Sequence, residues 1–288
     1  MKKNRKYIWC TIMILVILLC AVRQELWVSA NCLVVNHYKC ENHKLEKELK
    51  IVVLSDLHGY EFGEDNAELV KKVKEQEPEL ILLLGDFVNE DSENADVTCE
   101  LIGELKDIAP VYFSLGNHEL AYMEAGKPEL LWQLEAVGAK VLDKEYVDLD
   151  FGETTIRLGG LYNYAFGFSQ EEELSEERLE MKEYLEEFQA TDSVKIMMSH
   201  LPDSFIFGDA SSFWNIDLVV SGHNHGGQVV LPVFGGVFGG DQGYFPEYVH
   251  GMYQKDEMNI FVTSGLSTNQ KPLPRFNNRP EIAVITIS

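Results

Sequence analysis

Five of the eight histidines in this 288-residue chain stand just beyond a strongly apolar run: His58, His118, His200, His223 and His225. Asp56-Leu57-His58 follows Ile51 to Ser55, and Gly85-Asp86 follows Leu80 to Leu84. Gly116-Asn117-His118-Glu119 follows Val111 to Leu115, Ser199-His200 closes Val194 to Met198, and Ser221-Gly222-His223-Asn224-His225 closes Ile216 to Val220. Aspartate and asparagine oxygens mixed with imidazole nitrogens suit borderline divalent metals such as Mn, Fe or Zn. Mg and Ca prefer all-oxygen shells. The set contains no thiolate and the chain no CxxC pair, which disfavours a closed structural zinc site. Taken singly each fragment is weak, because Asp-x-His arises by chance and a lone histidine is more often a structural hydrogen bonder. Five runs ending alike carry the signal. His37, His43 and His250 lack this setting and read as unspecialised.

Such residues can meet only if the runs are neighbouring strands that end at one edge. Leu80 to Leu84 is apolar without alternation, as a strand buried on both faces requires. In open α/β sheets ligands bind at the carboxyl ends of the strands. Between the runs the pattern becomes helical. Asp65 to Glu77 carries apolar residues at Ala67, Leu69, Val70 and Val73 and is stopped by Pro78; Ala95 to Ile108 is stopped by Ala109-Pro110; Pro128 to Val137 is ended by Gly138. This is a βαβ series. From Lys140, short alternating runs (Val141–Leu142, Tyr146–Leu149, Thr154–Leu158) predict hairpins in a second sheet. Glu171 to Phe188 predicts an acidic surface helix with Leu174, Arg178, Met181, Leu185 and Phe188 along one side. Ile260 to Thr263 and Ile282 to Ile287 are late strands. Pro232 to Tyr253, rich in glycine and aromatics, is either an apolar lip or a long loop packed by its own side chains.

A hydrophobic content of 45% supports one large domain, 50–288, behind an N-terminal segment, 1–30, and a lead-in strand and linker, 31–49. The net charge is −23, and residues 1–30 hold five of the Lys/Arg and one acid, so the body carries 19 basic and 46 acidic residues, or −27. A body so acidic repels nucleic acid, and no nucleic-acid polymer is expected as a partner. It also argues against a phosphate site unless bound cations reverse the local sign. Met1 to Lys6 holds four basic residues, and the apolar or neutral run Tyr7 to Val22 falls just short of the ~20 residues that span a bilayer. Continuing to Val28 reaches spanning length by carrying Arg23 and Glu25 near the outer interface, where long side chains snorkel. Val28-Ser29-Ala30 also resembles a small-residue cleavage site. The expectation is a single-pass membrane protein with its body outside, or a secreted one if cut after Ala30. Cys32 and Cys40 either close a small loop or remain free thiols.

Taken together and in this order, the blocks resemble the calcineurin-like metallophosphoesterases: DxH at Asp56 and His58, GD at Asp86, GNHE at Asn117 to Glu119, a lone His200, and GHxH at His223 and His225. The resemblance runs from about Ile51 to the C-terminus. GHNHGGQ at Gly222 to Gln228, the GYFPEYVHGMY segment and the closing PRFNNRPEIAV are similar to the membrane-anchored branch of phosphodiesterases like YaeI and YkuE. The resemblance implies a four-layer αββα sandwich and two divalent metal ions. Asp56, His58, Asp86 and His225 would hold one; Asp86, Asn117, His200 and His223 would hold the other, with Asp86 bridging. Two such cations can activate a water and polarise phosphoryl oxygens. His118 would stabilise or protonate the departing oxygen.

The chain departs from many relatives at Asn89, where a carboxylate three residues after the bridging aspartate pairs with the catalytic histidine; Glu119 and Glu90 are candidate replacements. Glu90 also stands where phosphoprotein phosphatases have a phosphate-gripping arginine, which counts against that activity. Arg275 is either a phosphate contact or part of a surface salt bridge. A phosphodiester or pyrophosphate substrate, lipid-linked or of the cell envelope, is the expectation. A catalytically silent metal-binding interaction module and a secreted phosphomonoesterase are the alternatives. Neither the metal's identity nor the oligomeric state is readable from sequence.

Overall fold

Along the strand β2 (Leu49–Leu54), Ile51 and Val53 face one way and Val52 and Leu54 the other, and all four are fully buried. This double burial is what the unbroken apolar runs demand, and the computed structural model meets it with two stacked sheets. It describes residues 2–162, 165, 175–207, 209–267 and 273–288. The first sheet has the order β1 (Val34–Cys40), β16 (Glu281–Ile287), β2, β3 (Leu80–Leu83), β4 (Val111–Phe113), β5 (Ala139–Val141). In the second the order is β14 (Gly251–Lys255), β15 (Met258–Val262), β9 (Leu218–Ser221), β8 (Val194–Met198), β7 (Thr154–Gly160), β6 (Glu145–Phe151).

Between the sheets lies one core, in which Ile51, Val53, Leu80, Leu82 and Ile285 meet Ile156, Leu158, Ile196, Met198, Val220 and Phe261. The outer face of the first sheet packs on α2 (Ala67–Lys74), α3 (Asp96–Leu105) and α5 (Leu130–Val137), through Leu69, Val73, Leu101, Ile102, Leu105, Leu130 and Leu134. The outer face of the second packs on α6 (Glu176–Gln189) through Met181, Tyr184, Leu185 and Phe188, and on Phe205, Ile206 and Ala210 of the short helices α7 (Asp203–Ile206) and α8 (Ala210–Phe213). Helix, sheet, sheet, helix is the four-layer αββα arrangement expected.

The differences are local. Val141, expected with Leu142 among the hairpins of a second sheet, instead ends β5 (Ala139–Val141), which pairs in parallel with β4 through Val111↔Ala139, because the α5 crossover returns the chain to the first sheet. The lead-in stretch supplies an edge strand, β1, parallel to β16. A helix, α4 (Asn117–Glu124), begins directly on the Gly-Asn-His-Glu block. The acidic helix starts at Glu176 behind an N-cap, Ser175, whose Oγ accepts from the Arg178 amide; Leu174 and the rest of 171–174 lie outside the described residues. The glycine-aromatic stretch forms two small hairpins, β10 (Val230–Leu231) with β11 (Gly235–Gly236) and β12 (Phe238–Gly239) with β13 (Gly243–Tyr244). Cys32 and Cys40 are free thiols, the latter buried.

A buried carboxylate joins the two sheets. Glu281 Oε1 accepts from Asn36 Nδ2 (2.7 Å), Tyr38 Oη (2.6 Å) and His250 Nε2 (2.9 Å), and Oε2 from Thr263 Oγ1 (2.7 Å) and the Ser264 amide (2.8 Å). Burial works against its ionisation, yet His250, Tyr38 and Asn36 override this and hold the carboxyl at about 2. His250, which the sequence left unspecialised, belongs to this network.

The N-terminal helix α1 (Lys2–Asn31) is the one helix among the described residues long and apolar enough to cross a membrane. Its final turns are seated on the body. Ser29 is buried, Tyr60 Oη donates to Asn31 Oδ1 (2.7 Å), and Arg279 donates to the carbonyls of Cys32 and Leu33.

Replacing Glu281 with Gln turns one of its two acceptor oxygens into a donor facing two or three of the five donors, at a cost on the order of 2–4 kcal/mol. Because the folded carboxyl lies below its ordinary 4.5, its stabilisation is complete above that value and fades as pH falls toward about 2. Denaturant melts of the two proteins should differ most near neutrality and converge across that acidic window.

Candidate metal centre

The parallel strands β2, β3, β4, β8 and β9 deliver their carboxyl ends to one rim of the sandwich, and the sequence-predicted residues follow each end within a few positions. Asp56, His58, Asp86, His200 and His225 are all buried. Asn117, the first residue of α4, His118 and His223 are the partly exposed members of the set and form its mouth.

Asp86 is the centre of the group. Its Oδ2 lies 3.2 Å from His200 Nε2, 3.9 Å from His58 Nε2 and 4.0 Å from His118 Nε2. Its Oδ1 accepts from the His118 amide at 2.9 Å. Three sets of ligand atoms each fall within 4.8 Å of one another: Asp56, His58 and His225; His58, Asp86 and His118; Asp86, His200 and His223. The sets share members, so they form one continuous cluster. All seven expected ligand residues and His118 come to the same rim.

Each of three imidazoles has its Nδ1 fixed by an acceptor. His200 Nδ1 donates to the Leu84 carbonyl at 2.6 Å, and His225 Nδ1 to the Ser267 carbonyl at 2.8 Å. His58 Nδ1 meets Asn89 Oδ1 at 2.8 Å, while Asn89 Nδ2 donates to the His58 carbonyl, so the amide oxygen is the acceptor. In a neutral ring this tautomer leaves the Nε2 lone pair turned into the cluster, as metal ligation requires. Asn89 therefore orients His58, and the pairing with His118 expected for this position is not formed. Both ends of the Asn89 amide are instead taken up by His58.

Glu119 does not support His118 either. Its Oε2 accepts from the amides of Asp86 (2.7 Å) and Gly116 (2.8 Å), and its Oε1 from Phe87 (2.7 Å) and Val88 (3.3 Å). Burial first, and then the charge of Asp86, pushes its carboxyl up to about 7 against the pull of those amides. Glu90 is exposed at the surface.

The clamp works because two glycines permit it. A Cβ on Gly85 would fall 2.3 Å from the Gly116 nitrogen, and one on Gly116 would fall 2.3 Å from Asp86 Oδ1. Five of the ligand candidates, Asp56, His58, Asp86, His223 and His225, have positive φ between 46° and 69°. Left-handed backbone at non-glycine residues costs about 1–3 kcal/mol each and persists only where the surroundings enforce it.

Asp86 Oδ2, Asn117 Oδ1 and His200 Nε2 are buried atoms without a hydrogen-bond partner. Leaving such atoms bare costs about 1–3 kcal/mol apiece. A divalent cation would take electron pairs from atoms of this kind, and the donor set suits one. The charges agree with that. Burial opposes ionisation of Asp86 and Asp56, yet the surrounding imidazoles hold both below the ordinary carboxylate range. Burial also disfavours the charged form of His200, but Asp86 carries it up to about 9.

Arg275 is corrected by the structure. Only 3% exposed, its guanidinium donates to the carbonyls of Ser264 (2.7 Å), Asn278 (3.0 Å), Gly265 (3.2 Å), Ser267 (3.3 Å) and Arg279 (3.3 Å). With those hydrogen bonds spent inside the protein, it meets neither a phosphate nor a surface carboxylate. It shares the Ser267 carbonyl with His225 and holds the loop that orients that ring. Asp241, within the FGGDQG stretch, was not singled out from sequence, yet its Oδ2 lies 3.6 Å from His223 Nε2. No spacing rule links it to the motif, because the hairpin fold brings it there.

Residues 49–227 match the family model for calcineurin-like phosphoesterases. The chain belongs to that family. It is a metallophosphoesterase, a hydrolase of phosphoester bonds. An uncharacterized metallophosphoesterase of Aquifex aeolicus is 29% identical over 88% of this chain and 91% of its own. YkuE of Bacillus subtilis, an uncharacterized metallophosphoesterase, is 29% identical over 83% of this chain and 78% of its own. The phosphodiesterase YaeI of Escherichia coli is 28% identical over 83% and 82% respectively. In the Campylobacter jejuni and Helicobacter pylori relatives the match spans 54% and 61% of a longer chain.

Because Asn89 sets the ring of His58 in this metallophosphoesterase, Asn89→Ala should lower affinity for a bound divalent ion about 10–100-fold. Competition against a fluorescent chelator, with the fold checked by circular dichroism, measures this directly.

Proposed function

We propose that this metallophosphoesterase is a phosphodiesterase or pyrophosphatase with a dinuclear centre, held by α1 at the outer face of a membrane. The observation that carries the reading is the position of Asp86 Oδ2, buried among the Nε2 atoms of His200, His58 and His118. A carboxylate so placed can face two cations. Asp56, His58 and His225 would complete one side, and Asn117, His200 and His223 the other. Two divalent ions, when bound, supply the Lewis acidity and the hydroxide at neutral pH that phosphoester cleavage needs. Mn, Fe and Zn all fit the donor set.

The chain's own residues do the rest. The Asp86 and Asp56 carboxylates pull in positive charge, without which a body of net charge −27 repels any phosphate. The Nδ1 hydrogen bonds of His58, His200 and His225 keep the rings from turning. His118, tied through its amide to Asp86 and partly open at the mouth, holds a proton at Nε2 for the leaving oxygen.

Asp241 favours the diester reading. Its carboxylate is half exposed at the mouth, 3.6 Å from His223. A phosphomonoester brings nearly two negative charges at neutral pH, as a phosphoserine does, whereas a diester brings one. Repulsion by a fixed carboxylate therefore weighs more heavily on the monoester. The absence of an arginine at Glu90 points the same way, against phosphoproteins. The unbroken helix through Ala30, seated on the body at Ser29 and Asn31, supports an uncleaved anchor.

Full-length protein with Mn²⁺ should hydrolyse bis-p-nitrophenyl phosphate faster than p-nitrophenyl phosphate. Asp86→Ala should abolish turnover, and His118→Ala should lower kcat by about 10²–10⁴ while metal stays bound. Metal binding with no turnover of either ester would favour a silent binding module, and a preference for the monoester would favour a phosphomonoesterase. Asp241→Asn should raise monoester turnover relative to diester several-fold; an unchanged ratio in steady-state kinetics removes Asp241 from the argument.

A further inference from the structure

The β10–β11 hairpin carries its apolar residues outward. In its turn, Leu231-Pro232-Val233-Phe234, Val233 is fully exposed and Phe234 is 73% exposed. Val233 also has φ of 75°, a left-handed conformation that a β-branched residue adopts only under constraint. Among the described residues none covers this tip, although the hairpin's other end is built into the metal loop. The Val237 amide donates to the carbonyls of Gly227 and Val229, and a Cβ on Gly227 would fall 2.4 Å from the Gly236 Cα. Gly227 is two residues from His225.

What lies beside the tip identifies its partner. A cavity of about 640 Å³ is lined by Val233, Phe234 and Gly235 of the turn, by Gly226 of the metal loop, and by Glu25 of α1. Glu25 is the last ionisable residue of the helix, three residues beyond the end of the apolar run Tyr7 to Val22. At about 1.5 Å per residue it stands about 9 Å along the helix from Asn31, where α1 is seated on the body. The exposed turn therefore reaches the level at which the apolar helix would leave the hydrocarbon. Exposed aromatic and aliphatic side chains at that depth are those that enter the interfacial layer of a bilayer. Glu25 and Glu247 flank the cavity and the body is strongly acidic, so adsorption to anionic lipid is not what would hold the tip there.

We infer that the 231–234 turn is a second membrane contact, inserted into the phospholipid surface beside α1. It would fix the metal centre at a set height and tilt above the bilayer, facing phosphoesters borne on lipids. The inference rests on the reading of α1 as a membrane anchor.

The test uses full-length protein in phosphatidylcholine vesicles, with a photo-crosslinking p-benzoylphenylalanine placed singly at Phe234, at Leu15 within the helix, or at Trp132, an exposed residue of α5. Mass spectrometry should find lipid adducts at positions 15 and 234 and none at 132. The same label at Val233 repeats the measurement should substitution at 234 impair folding. Adducts at 15 without any at 233 or 234 overturn the membrane contact and leave the anchor standing. Adducts joining 234 to another copy of the chain overturn it in favour of self-association. No adduct at 15 removes the anchor, and this inference with it.

Discussion

A carboxylate kept from water and from protein cations is the constraint on which this molecule turns. Asp86 lies at the end of a strand buried on both faces, with imidazoles as its neighbours and no lysine or arginine among the groups that set its ionisation. Such a group costs several kcal/mol to desolvate unless something positive meets it. A divalent cation held by those rings would meet that need. Much of the local architecture follows from holding that oxygen still. Glu119 gathers the amides of two loops, Gly85 and Gly116 let those loops touch, and the His118 amide takes the second carboxylate oxygen.

The sandwich makes the strain at this rim bearable. Asp56, His58, Asp86, His223 and His225 would each relax out of left-handed backbone if the loops were free. They are not free, because each follows a strand whose side chains are locked between sheets or under helices. Arg275 adds a second restraint by drawing the carbonyls of Ser264, Gly265, Ser267, Asn278 and Arg279 around one buried guanidinium. Packing energy gathered across two cores is thus spent on geometry at one edge.

The glycine-aromatic stretch binds function to architecture in a different way. Its hairpins lean on the metal loop through Gly227 and Gly236, approach His223 with Asp241, and hand His250 to the carboxylate of Glu281. A stretch with no regular period has become the junction of the site, the sheet edge and the N-terminal helix. Gly226 and Glu25 line the same cavity for this reason.

The sequence by itself determined most of the element types and which candidate ligand residues would share one edge, for a physical reason. Apolar runs that must be buried on both faces can only be central strands, and oxygen and nitrogen donors placed at their ends are brought to one edge by parallel pairing. The acidic balance likewise sets a condition, that a phosphate site here needs bound cations to reverse the local sign. Other facts depend on distance through space, and no periodicity encodes that. Asn89 turned to His58 instead of His118, Glu119 became a backbone clamp, Arg275 went inward, Ala139–Val141 joined the first sheet, and Asp241 came to the mouth. In each case the sequence is compatible with more than one partner. Only tertiary packing, by burying some donors and leaving others bare, decided which one it met.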